Sequence, residues 1–206
     1  MPKAAYLALA ITLLAACSSN VGLPTAPATF SVPVVSHALH APGGSANANG
    51  GNFGTPLSSA EEVMPAGVVN ESTARGNAVF SLSADGTEVS YKLSVANIEN
   101  VFMAHIHRGP AGSNGPIVVW LYPSTEPVQG ALGQGRIDGL IAEGTITAAN
   151  LVGPLAGQPL SALIALLSES NAYVNVHTND GVSPTNTGPG DFPGGEIRGQ
   201  VEHRGH

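Results

Sequence analysis

Three histidines of this chain stand where β-strands would present them. His105 and His107 flank Ile106 in Ala104-His105-Ile106-His107-Arg108, and His177 closes the run Tyr173-Val174-Asn175-Val176-His177. Side chains on a strand alternate faces, so His105 and His107 project together while Ile106 points away. A neighbouring strand carrying His177 would bring three imidazoles to one point. Three neutral nitrogens of this kind suit Cu or Zn, and the first expectation is a metal site formed by His105, His107 and His177. The other expectation is a structural cluster in which the same rings stay neutral and hydrogen-bond to their surroundings.

The last strand, Glu196-Ile197-Arg198-Gly199-Gln200, repeats the alternation. Glu196, Arg198 and Gln200 share one face, with Ile197 and Val201 on the other. In the metal reading Glu196 orients an imidazole from behind rather than binding the ion. In the structural reading Arg198 pairs with Glu196. Tyr173 and Asn175 share the face of His177 and serve as wall or donor.

These residues need a scaffold of strands, and the composition supplies one. Of 206 residues only 10% are charged, whereas Gly (26) and Pro (16) are abundant, which favours an all-β chain with many turns over a helical bundle. Asp85-Gly86 between the alternating runs Ala78-Phe80-Leu82 and Val89-Tyr91-Leu93-Val95 predicts an antiparallel hairpin with one wet face. Further strands are expected at Val101 to His107, Ile117 to Tyr122, Gly139 to Ile146, Ala172 to Thr178 and Glu196 to Glu202. The Ile117 run is apolar on both faces and reads as central. Leu160, Leu163, Ile164 and Leu167 follow a helical stripe, with Pro159 suited to its first position. Asn179 to Gly195 reads as an irregular insertion on the surface. The fold expected is an antiparallel β-sandwich or flattened barrel with one short helix.

The formal charge of −7 and the seven Lys or Arg leave no basic patch for phosphates, so nucleic acid is excluded as a partner. No nucleophile elbow or His-Glu-x-x-His occurs, and the protein is expected not to be an enzyme.

Residues 1–16 read as a targeting segment. Lys3 precedes the apolar stretch Ala4 to Leu14, too short for a bilayer core of about 30 Å. Leu14-Ala15-Ala16-Cys17 resembles a bacterial lipobox, and Cys17 is the only cysteine. The resemblance implies lipidation of Cys17, cleavage before it and a protein anchored in the cell envelope. Ser18 after the cysteine favours the outer over the inner membrane in a Gram-negative host. Residues 17–52, with the run Gly43-Gly44-Ser45-Ala46-Asn47-Ala48-Asn49-Gly50-Gly51, read as a flexible tether. The folded domain is expected over 53–203.

Four motifs in order carry a family resemblance: Glu61-Glu62-Val63-Met64-Pro65, His105 through Pro116, Tyr173 through Thr178, and Gly194 through Gln200. Together they resemble the chordin-type (CHRD) domain, which implies a β-rich fold but no defined biochemical role. Met64 replaces a usual proline, and the insertion before Glu196 is longer than usual. The histidine pattern is also similar to the copper ligands of copper–zinc superoxide dismutase, which implies at most a mononuclear site, because no histidine lies between His107 and His177 to act as a bridge. Two further functions stay open beside metal binding: an adhesion or protein-interaction module with an envelope partner, and a dismutase-like redox enzyme.

Overall fold

The computed structural model describes residues 51–125 and 135–204. Cys17, the apolar leader and nearly all of the tether lie outside the described residues. Nine strands form one antiparallel sheet: β1 (Asn52–Ser58), β2 (Arg75–Leu82), β3 (Val89–Glu99), β4 (Val101–Arg108), β5 (Ile117–Tyr122), β6 (Arg136–Ile146), β7 (Ala172–Thr178), β8 (Ile197–Gln200) and β9 (Glu202–His203). Their order is β5-β4-β7-β8-β1-β2-β3-β6, with β9 paired to β1. The sheet curls into a nearly closed barrel, the flattened-barrel form of the expected all-β fold. Across the remaining gap, the Tyr91 hydroxyl of β3 donates to the Leu121 carbonyl of β5 at 3.0 Å.

The hairpin forms as its alternation dictates. Phe80 opposes Tyr91 and Ala78 opposes Leu93, all buried, while Lys92 and Ser90 face outward. At the turn, the Asp85 carboxylate accepts from the Ser83 and Thr87 hydroxyls and from the Thr87 N–H, which holds its pKa down at about 2.

Three expectations need correction. β5 is a terminal strand, not a central one. Its outer edge is covered by residues 148–155, through the Val119–Leu151 bridge and the bond from Val152 N–H to Val118 O, so burial of both faces does not require a neighbour on each side. The helix α1 spans Leu160–Ser168 with Pro159 as N-cap rather than first residue, and it buries Leu166 in place of Ile164. The insertion is not wholly a surface loop: Asp191, Phe192 and Glu196 at its end are buried. β1 was not anticipated, and it pairs with both β2 and β8.

Candidate metal centre

β7 lies between β4 and β8, so the two histidine strands are direct neighbours. In their register His105 opposes Asn175 and His107 opposes Tyr173, which leaves His177 diagonal to His105. Ala104, Ile106, Val174 and Val176 fill the core on the inner face. Alternation therefore delivers His105, His107, Tyr173, Asn175 and His177 to the outer face together. That face is not open to water: His105 is 0% exposed, His177 5% and His107 8%.

One nitrogen from each ring falls within 4.8 Å of the others. His105 Nδ1 and His177 Nε2 are 3.0 Å apart. Two ligand bonds of about 2.0–2.1 Å would span that distance at an angle of about 95°. His107 Nε2 has no hydrogen-bond partner, and neither has His105 Nε2. Backbone carbonyls fix the other two rings: His177 Nδ1 donates to Pro193 O at 3.0 Å and His107 Nδ1 to Gly115 O at 2.9 Å. Each of these bonds places the ring proton on Nδ1 and turns the Nε2 lone pair toward the cluster. Gly115 reaches this position because its backbone packs directly on the Arg108 carbonyl, where a Cβ would not fit.

All three imidazoles are kept neutral. Burial, followed by the nearby His177 and His107, pushes His105 down to about 2, and burial, followed by His107, pushes His177 down to about 3. Burial also lowers His107; the Gly115 carbonyl opposes that shift and the Arg198 cation reinforces it. Neutral nitrogen is the form that binds a metal.

Arg198 and Glu196 do not act as the alternation alone suggested. Glu196 touches no imidazole and does not pair with Arg198. Its carboxylate accepts from the Ser72 hydroxyl at 2.5 Å, the Thr178 hydroxyl at 2.6 Å and the Gly190 N–H at 2.8 Å. These donors bind the loops before β2 and before β8 to β7, and Pro193, the carbonyl that orients His177, lies in the second loop. Arg198 lies over the Tyr173 ring, 3.4 Å from its centroid, and donates to Asn114 Oδ1, Pro110 O and Ser113 O. Tyr173 stacks in turn on His107, with centroids 4.8 Å apart and planes within 6°. Arg198 thus backs a ligand candidate through one aromatic ring and holds the loop that carries Gly115. Trp120 closes the far side, its ring edge-on to His105 at 4.2 Å between centroids.

Glu62 joins this polar layer although no strand pattern points to it. Its carboxyl, pushed up to about 8 by burial against the opposing pull of Arg198, lies beside Asn175. Glu62 Oε1 and Asn175 Oδ1 are both buried without a donor. Both lie against Gly195, whose φ of +134° and missing Cβ make room for them. A protonated Glu62 would carry a hydrogen into this donor-poor place. The only trace of this in the sequence is the Glu61-Glu62 motif, which reads equally well as a solvated pair.

No curated protein and no solved structure matches this chain. The model of the CHRD domain matches residues 53–201, a span that contains every residue of the cluster, and the chain belongs to the CHRD domain family.

Proposed function

We propose that this protein is a non-enzymatic, lipid-anchored envelope protein whose CHRD domain binds one copper or zinc ion through His105, His107 and His177. The convergence of three neutral imidazole nitrogens within 4.8 Å, with His107 Nε2 unpartnered, carries this reading. Unpaired polar atoms are unusual in a buried region, and an ion would satisfy His107 Nε2. Pro193 and Gly115 supply the second hydrogen bonds that metal-binding imidazoles ordinarily make. The anchor rests on the apolar leader and the Leu14-Ala15-Ala16-Cys17 sequence.

A second reading has one observation in its favour. The 3.0 Å contact between His105 and His177 is also the length of a direct hydrogen bond, which would close the cluster without an ion and leave an adhesion module with an architectural core.

Calorimetric titration of the full chain with Cu(II) and Zn(II) separates the two. Metal binding predicts a one-to-one heat that the His105→Ala/His107→Ala variant loses, with affinity falling at least about 100-fold. Equal heats in the two proteins, or no heat in the wild type, would remove the metal reading.

A further inference from the structure

The β4–β7 ladder is irregular at one place, beside the cluster. Met103 opposes His177, and the next pair is Val101 with Thr178. Two steps on β4 therefore match one on β7, which makes Phe102 the extra residue of a β-bulge, with Phe102 and Met103 together facing His177. Val101 and Ala104 on either side are in the core, at 3% and 0% exposure. Phe102 and Met103 are only half-buried. The Phe102 ring stands 6.4 Å from that of His177, edge to face. Bulges of this kind redirect side chains, and this one sets Met103 directly across the ladder from His177. Directly opposed residues have Cβ atoms about 4.5–5.5 Å apart, and methionine has three rotatable bonds with which to reach further.

The surroundings discriminate between ions. Every nitrogen donor is neutral, and no carboxylate joins the group that converges. Glu196 is fully engaged by Ser72, Thr178 and Gly190. The one charged group stacked behind a ligand candidate is a cation, Arg198, separated from His107 by Tyr173. Removing an ion from water costs more as its charge rises, and here no anionic ligand offsets the difference between a divalent and a monovalent ion. A soft sulfur beside imidazoles favours Cu(I), whereas Zn(II) is served by imidazole, thiolate and carboxylate.

We propose that Met103 supplies a thioether as the fourth donor and that the site is thereby selective for copper, held as Cu(I), over zinc. This rests on the three-histidine reading. Of the other methionines, Met64 accepts a contact from Asn70 Nδ2 at 3.9 Å and serves as the control.

The test is anaerobic competition of the full chain against a chromophoric Cu(I) chelator, with parallel zinc titrations, for wild type, Met103→Leu and Met64→Leu. Wild type should hold Cu(I) at least about 100-fold more tightly than Zn(II). Met103→Leu should weaken Cu(I) by about 10- to 100-fold while zinc affinity stays nearly constant. Met64→Leu should change neither. X-ray absorption of the Cu(I)-loaded wild type should contain a sulfur scatterer at about 2.3 Å that Met103→Leu lacks. A nitrogen-only shell with unchanged affinity in Met103→Leu overturns the thioether and leaves the three-histidine site standing. Tighter binding of zinc than of Cu(I) overturns the selectivity. A wild type that takes up no metal overturns both readings.

Discussion

β3 and β7 are both interior strands of the same sheet, yet they are buried in different ways. β3 alternates: Val89, Tyr91, Leu93 and Val95 are buried, while Ser90 and Lys92 face water. β7 is buried at all seven positions, and its second face presents Tyr173, Asn175 and His177 rather than aliphatic groups. An antiparallel sheet over one core needs only the first arrangement. The second removes polar atoms from water, which is unfavourable unless each finds a partner. Around β7 the partners come from loops, with Arg198 and Glu196 drawing residues 109–116 and 190–196 over the strand. Burial of apolar area holds both halves of the barrel, and the half around β7 adds a connected polar layer, the one that surrounds the candidate ligands.

The largest test of this contrast is Arg198→Met. Arg198 is 1% exposed, and its loss removes three hydrogen bonds that hold the 110–114 loop and the cation stacked on Tyr173. A destabilisation of about 3 kcal/mol or more in urea denaturation is expected. The equivalent change on the wet half, Lys92→Ala, breaks only an exposed pair with Glu143 at 3.2 Å and should cost no more than about 0.5 kcal/mol. Similar costs for both would abolish the distinction.

Acid sharpens the contrast next. His105 and His177 have folded pKa values pushed to about 2 and about 3, below the 6.5 of the unfolded chain. The unfolded state therefore binds protons that the folded state refuses. The contribution of these two rings to the stability of the metal-free protein should be flat above about pH 6.5 and fall below it, each ring costing on the order of 2 kcal/mol by pH 5. His177→Gln should flatten the slope; an unchanged slope would place the acid sensitivity elsewhere.

The smallest effect has the opposite sign. Glu62 is raised from 4.5 to about 8, so the folded state retains a proton that the unfolded state releases. Its contribution is full below about pH 4.5 and is lost as pH rises through about 8. Because Glu62 is only half-buried, Glu62→Gln should add no more than about 1 kcal/mol at pH 8.5 and nothing near pH 4. A loss of stability at pH 8.5 would show that the carboxylate form is the one the fold requires.

What could be read from the chain was what period-two alternation governs. It gave the shared face of His105 and His107 and the hairpin around Asp85-Gly86. Choice of partner was not legible. Glu196, placed by alternation with Arg198, lies just outside β8 and is taken by Ser72, Thr178 and Gly190, which no local pattern links to it. The groups that orient His177 and His107 are backbone carbonyls, which carry no side-chain signature. β1 was hidden because Gly54 and Pro56 interrupt its apolar positions, and pairing on both sides makes it a strand. The apolar run of β5 does not distinguish a central strand from an edge strand covered by residues 148–155.

The pairing of β1 with β9 has a consequence of its own. Phe53 lies opposite His203 and Gly54 opposite Glu202, so the domain's first and last segments are hydrogen-bonded neighbours. A module whose two ends meet can be spliced into a loop of a host protein, strung in tandem, or reopened at another turn with its ends fused, because no long connector is needed. Cargo held by β4 and β7 would travel with such a cassette into any architecture that accepts it.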